Sequence, residues 1–180
     1  MSVNVNVSRF SRIVSKNPTF TILENRDTLK MIAVIQRVSE ASVKIDGIVK
    51  GQIQTGFLVL LSVTHTDIQE DLEWISKKIV GMRIFSDEEG KMNLDLISVN
   101  GNILLISQFT LHASSKKGNR PSFMEAAKSE IAIPLYEKMI LQLERALGKT
   151  IQSGEFGADM KISLINDGPV TIILDSKNKI

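Results

Sequence analysis

From Met31 onward, apolar and polar residues fall into short runs, most with the period of a β-strand. Met31 opens one of them at Ile32-Ala33-Val34-Ile35. Val43-Lys44-Ile45 and Ile48-Val49-Lys50 flank Asp46-Gly47, which predicts a two-residue hairpin, because both central positions of that turn need φ > 0. Phe57 to Val63 is apolar almost without a break over a strand's length, which predicts burial on both faces. Asn100-Gly101 predicts a second hairpin, joining Leu96-Ile97-Ser98-Val99 to Ile103-Leu104-Leu105-Ile106. Met160, Ile162 and Leu164 alternate with Lys161 and Ser163, the pattern of a half-buried strand. Val170 to Leu174 is the last strand. Asn166-Asp167-Gly168-Pro169 stands between these two and reads as a turn, since Asp-Gly and Gly-Pro are both turn dipeptides.

Two segments have helical spacing. Ile68, Leu72, Ile75 and Ile79 share one helix face, with Asp67 as cap and Glu70 reaching back to it. Leu135, Met139, Leu143 and Leu147 recur at four-residue steps, with Pro134 suited to the first turn and Gly148 to the position just past the end. Residues 1–30 have no sustained period and are rich in Ser, Asn, Val and Arg. They read as an extension, either an Arg- and Ser-rich targeting segment or an upstream start with Met31 the true initiator. Residues 31–180 read as a single domain.

Charge separates the same two parts. Residues 1–30 carry five basic and two acidic residues, which leaves residues 31–180 at −1. The main body is therefore not a basic nucleic-acid binder by composition, although Lys116, Lys117 and Arg120 cluster in one loop-like stretch. There is no cysteine, which removes thiol nucleophiles, thiolate zinc sites and disulfide frameworks. No apolar run approaches the ~18 residues of a membrane-spanning helix. The nucleophile-elbow, P-loop, zincin and dinucleotide-binding motifs are missing. His65 and His112 are far apart, with no carboxylate spacing that predicts a metal site.

Ser107-Gln108-Phe109-Thr110-Leu111 follows the apolar run Ile103–Ile106. Polar residues leaving the core at a strand end need no function, yet strand ends and the loops after them also carry chemistry. Gln108 offers two donors and an acceptor, and Ser107 and Thr110 offer hydroxyls. That set can orient an ester and stabilise its oxyanion without any titrating group. A small-ester esterase using Ser107 or Thr110 with His112 stays open at this point, as does a non-catalytic RNA-binding dimer.

Co-occurrence changes the weight of these segments. Arg37 in Ile35-Gln36-Arg37-Val38, Arg83-Ile84-Phe85-Ser86-Asp87, Lys91-Met92-Asn93, the Ser-Gln segment, Gly118-Asn119-Arg120-Pro121-Ser122-Phe123, Gly154-Glu155-Phe156-Gly157 and Asn166-Asp167-Gly168-Pro169 stand in one order and spacing. In that order and spacing the chain resembles the D-aminoacyl-tRNA deacylases over residues 31–175. The resemblance implies an α+β fold, a mostly antiparallel, barrel-like sheet with two flanking helices. It implies a homodimer with active sites at the interface, acting on aminoacyl-tRNA without a cofactor and with no membrane or DNA partner. The implied reaction is hydrolysis of the ester between a D-amino acid, or glycine, and tRNA, in the cytoplasm unless residues 1–30 are a targeting segment.

The resemblance also distributes roles. Ser107, Gln108, Phe109 and Thr110 form the catalytic segment. Gly168 and Pro169, joined by a cis bond, read handedness through backbone carbonyls and enter the other subunit's site. Arg37 holds that loop, with Asn166 and Thr171 in support, and Phe156 and Met160 line the adenosine and amino-acid pocket. Lys116, Lys117 and Arg120 meet RNA phosphates. Thr110 as a nucleophile and water assisted by the substrate's 2′-hydroxyl are both left standing.

Overall fold

The computed structural model describes residues 30–179. Strand β1 (Ile32–Ile45) runs through the whole fold. It turns at Asp46-Gly47, with φ of 50° and 78°, into β2 (Ile48–Ile53), the hairpin that the sequence predicts. β3 (Gly56–Ser62) follows, then α1 (Gln69–Gly81), the short pair β4 (Phe85–Ser86) and β5 (Met92–Leu94), and β6 (Asn102–Ser107). A 3₁₀ turn (Phe109–His112), α2 (Ser129–Leu147), β7 (Gln152–Ser153) and β8 (Lys161–Asp175) complete the order. The fold is α+β, and its main sheet runs β2-β1-β3-β6-β7 with β8 on the other edge of β1. The pairings of β1 with β2, β3 and β8 are antiparallel, while β6 runs parallel to both β3 and β7. The sheet nearly closes where β2 meets β7: a Cβ on Gly51 would lie 3.2 Å from the Ser153 carbonyl oxygen.

Two cores explain the two kinds of strand. Phe57, Val59 and Leu61 of β3 and Ile103 and Leu105 of β6 pack on one side with Leu72, Ile75 and Ile79 of α1 and Met139 and Leu143 of α2. Leu58, Leu104 and Ile106, the intervening residues, fill the barrel interior with Val38, Ala41, Val43 and Ile53. Both faces are buried, so these strands have unbroken apolar sequences. In β1 the odd residues Ala33 and Ile35 face the helices, whereas Ala41 and Val43 face the interior. The change of face follows from register shifts against β8 between Gln36 and Glu40, since one extra residue flips every later side chain.

The structure corrects several local expectations. Leu96–Val99 is a turn, not a strand: the Asp95 carboxylate accepts from Ser98 N and Oγ at 2.8 and 2.7 Å, and Gly101 N donates to Leu96 O. No hairpin forms there. Asp67 does not cap α1; its Oδ2 accepts from Thr64 N, and Asp71, not Glu70, accepts from the Ile68 amide. Ile68 is exposed and lies off the buried face. Pro134 sits inside α2, because that helix starts at Ser129. Gly148 does cap its end, at φ 68°. Asn166–Pro169 is not a hairpin turn. β8 is one long strand, and both of its halves pair with β1.

The expectation for residues 1–30 lies outside the described residues except at Lys30. That residue's ammonium pairs with Asp175 at 2.6 Å and its carbonyl bonds His112 Nε2 at 2.7 Å. Among the described residues no helix is long and apolar enough to cross a membrane.

Candidate active site

β3 and β6 are parallel, so their carboxyl ends emerge side by side. A pocket of about 270 Å³ opens there. Its walls include Ser62, Ser107, Gln108, Phe109, Tyr136, Phe156 and Met160. The residues from β6 and those beyond β7 are some fifty positions apart, and the parallel pairing of Leu105 with Ser153 brings them together. Gly154 makes room: a Cβ there would lie 2.4 Å from the Met160 sulfur.

Gln108 is held at three points. Its amide donates to Leu61 O at 2.7 Å, its carbonyl accepts from Leu111 N, and its Nε2 donates to Thr110 Oγ1 at 2.5 Å. One amide hydrogen is thereby used, and a primary amide has two. Thr110 is exposed, and its hydroxyl accepts from the side-chain amide of Gln108. Tyr136 is buried, its hydroxyl donates to Leu105 O at 2.8 Å, and burial pushes its pKa well above the usual phenol range. It is a structural donor rather than an acid. Asp159 reaches the rim and is paired with Lys161 at 2.7 Å.

His112 does not serve this pocket. It is buried, with Nδ1 2.5 Å from Ser62 Oγ and Nε2 2.7 Å from the Lys30 carbonyl. A carbonyl only accepts, so Nε2 is the protonated nitrogen and both ring positions are occupied. The pairing of Ser107 or Thr110 with His112 required by an esterase is not present.

Gly168 and Pro169 lie elsewhere. Thr171 pairs with Gln36 and Asn166 with Val38, so the four residues Asp167–Val170 stand opposite Arg37 alone. The resulting bulge contains a cis peptide bond between Gly168 and Pro169. Arg37 lies beneath it. Its Nε donates to Asp167 O at 3.1 Å, its Nη1 donates to Ile84 O, and its guanidinium is 6.0 Å from the Phe85 ring. Asn166 donates to Gln36 Oε1 through Nδ2 and accepts from Val170 N through Oδ1, and Thr171 Oγ1 also donates to Gln36. Lys116, Lys117 and Arg120 stand on an exposed loop closed by paired backbone bonds between Ser114 and Ser122.

The family model described as D-Tyr-tRNA(Tyr) deacylase matches residues 34–175. The chain belongs to that family. As a member of the D-Tyr-tRNA(Tyr) deacylase family it is a hydrolase acting on ester bonds. The D-aminoacyl-tRNA deacylase of Bacteroides fragilis is 60% identical over 149 residues, which cover 83% of this chain and 99% of that protein. The D-aminoacyl-tRNA deacylase of Cytophaga hutchinsonii is 61% identical over the same shares. Among solved structures, the c-Myc DNA unwinding element binding protein superposes with a TM-score of 0.74 at 40% identity, covering 79% of this chain and 97% of that one. A probable eukaryotic D-amino acid tRNA deacylase has the same fold, with a TM-score of 0.70 at 17% identity, covering 81% of this chain and 99% of its own.

Set on this deacylase fold, the predicted site residues fall into two groups. Ser107, Gln108, Phe109, Phe156 and Met160 share the pocket, with Thr110 bonded to Gln108. Arg37, Asn166, Gly168, Pro169 and Thr171 form the bulge, and none of them lines that pocket. Sequence reasoning missed Ser62 and Tyr136, which also line it. Tyr136 had one usable signal: it is the chain's only tyrosine, and it neighbours a helical core position. Among the described residues no group of three or more His, Asp or Glu is placed to hold a metal ion.

Proposed function

We propose that the protein hydrolyses the ester between a D-amino acid and the 3′ end of tRNA, accepts glycyl-tRNA as well, and so recycles mischarged tRNA. The observation that carries this reading is the pocket itself: an apolar cleft with a fixed, uncharged polar segment at its edge, in which the titratable wall residues Tyr136 and Asp159 are already engaged by Leu105 O and Lys161. Gln108 donates its remaining amide hydrogen to the ester carbonyl as it becomes an oxyanion. Water, assisted by the substrate's own 2′-hydroxyl, adds to the carbonyl carbon. The ester C–O bond then breaks, and the proton lost by the attacking water goes to the 3′-oxygen of the ribose, which leaves as a hydroxyl. Thr110 orients Gln108 and is not the nucleophile, because a hydroxyl without an adjacent base is weak. Phe156 and Met160 receive the terminal adenosine and the amino acid.

Handedness is read at the α-carbon, since a site for many D-side chains has no use for one shaped side-chain pocket. On this reading the protein is a homodimer. The Gly168-Pro169 backbone of one copy enters the other copy's pocket, captures the ammonium and leaves no room for an L-side chain. Arg37, Asn166 and Thr171 fix that backbone. Release of tyrosine from D-Tyr-tRNA and L-Tyr-tRNA, with glycine release from Gly-tRNA, tests the proposal. Rapid release from the D- and glycyl esters with the L-ester spared supports it. Equal rates on D- and L-esters would overturn the chirality reading, and no release from any of them would overturn the whole assignment.

A further inference from the structure

We propose that the protein holds a second nucleotide outside the pocket. The exposed rings of Phe109 and Phe123 form a ledge that stacks the base 5′ to the esterified terminal nucleotide, while Lys117 and Arg120 meet the backbone of the same strand. The inference rests on the deacylase reading and extends its substrate contact beyond the end group.

Phe109 is 56% exposed, Phe123 37% and Met124 88%. Scattered apolar residues at a surface are ordinary, but here two aromatic rings lie together, 5.1 Å apart and inclined at 75°. An edge-to-face pair does not cover both faces of either ring. Phe109 also lines the pocket, so the ledge continues the pocket wall outward. The segment returns to the same rim at Ala127, whose amide donates to Val63 O at 2.8 Å. Between these anchors the Ser114–Ser122 bridge closes a loop that carries Lys116, Lys117 and Arg120. From Leu96 to Met124 there is no acidic residue, in a chain whose residues 31–180 are otherwise slightly acidic. A pocket of about 270 Å³ has room for one end group, so an attached strand must leave across its rim. Exposed aromatics beside cations suit single-stranded RNA, because every base has a π-face and every linkage a phosphate.

The test uses D-tyrosine esterified to whole tRNA, to a CCA trinucleotide and to adenosine. In the wild type, kcat/KM is higher for the trinucleotide ester than for the adenosine ester. Phe123→Ala should remove about ten-fold of that advantage, through KM, and Phe123→Tyr should restore it. Lys117→Ala with Arg120→Ala should flatten the salt dependence on whole tRNA. An equal loss on all three esters, or no loss on any, overturns the ledge. So does a Phe123→Ala variant that dissociates in sedimentation, which would make the ledge a contact between copies. Binding of the uncharged, labelled trinucleotide separates this claim from the deacylase reading. If no ester is cleaved, that reading falls by itself, and unchanged trinucleotide binding by Phe123→Ala overturns the ledge independently.

Discussion

Arg37→Met removes the support under the bulge while keeping an apolar stem of similar length. The guanidinium donates to Asp167 O and Ile84 O and pairs with Asp167 Oδ2 at 3.1 Å. A hydrogen bond from a charged donor contributes about 1.5–3 kcal/mol. Asp167 is half exposed and re-solvates, so its ion pair adds only about 0–1 kcal/mol. The desolvation cost of the buried guanidinium also disappears, which offsets part of the loss. The net destabilisation is therefore about 2–3 kcal/mol, most of it from the Ile84 carbonyl left without its donor. At roughly 2–4 °C per kcal/mol for a chain of this size, Tm should fall by about 4–12 °C. With the bulge unsupported, the proposed chirality reader should blur. We expect the ratio of D- to L-Tyr-tRNA hydrolysis to fall at least about ten-fold at a temperature where circular dichroism shows both proteins folded. A lowered Tm with an unchanged ratio would mean that the bulge does not read handedness. An unchanged Tm would refute the account of Arg37 as its support.

Three further outcomes follow from the geometry. Gly168→Ala places a Cβ 2.7 Å from Val170 Cγ2 and 2.9 Å from Val170 N, at φ +127°, so the bulge must distort at a cost on the order of 1–3 kcal/mol; hydrolysis of D-Tyr-tRNA should drop while far-ultraviolet circular dichroism is preserved. Gln108→Ala should lower single-turnover rates by roughly 10²–10³ and Thr110→Ala by less, an order that a trapped acyl-enzyme on Thr110 would reverse. Burial alone would raise the Asp71 pKa, but bonds from Lys177, Ile68 N and Ser176 together hold it below the ordinary value of 3.8. Folding thus favours its charged form, and that stabilisation is lost as pH falls through the lowered value. Lys177→Met should therefore reduce stability at neutral pH and flatten its fall below about pH 4, checked by urea melts across pH.

Local signals in the sequence were readable where local chemistry decides the backbone. Asp46-Gly47 needed two positive φ angles and has them, and Gly148 ends α2 in the left-handed region. Leu96–Val99 misled because a short apolar run fits a turn as well as a strand. There Leu96 alone is fully buried, while Ile97 is exposed. The α2 start was missed because neither Lys128 nor Ser129 announces it with a side-chain cap. The turn residues at Asn166–Pro169 are genuine, but what they build depends on β1 pairing on both sides of them, which no local window contains. The pocket residues were legible only as a family pattern, since it is the parallel pairing of β6 and β7 that joins their segments.

The distance between the two groups of site residues decides how the proposed mechanism can operate. Arg37 pairs with Phe57 and Ile32 with Ser62, so the bulge lies near one end of β3 and the pocket at the other. Five residues of strand span roughly 17 Å. Within one chain Gly168 and Gln108 thus stand toward opposite ends of β3, and on the proposed reading the reader and the catalyst come from different copies. Leu164, Ile165 and Ile173 leave apolar surface exposed along β8, which is material for such a contact. In a two-fold dimer each site would then take its Gln108 from one copy and its Gly168 from the other. Mixing Gln108→Ala with Gly168→Ala after subunit exchange gives a heterodimer with one site carrying both defects and one carrying neither. Two nearly inactive proteins should together recover up to about a quarter of wild-type activity, since half the dimers are mixed and half their sites intact. If verified exchange yields no activity above the sum of the parents, both groups act within one chain or the bulge takes no part, and the cross-copy mechanism is wrong.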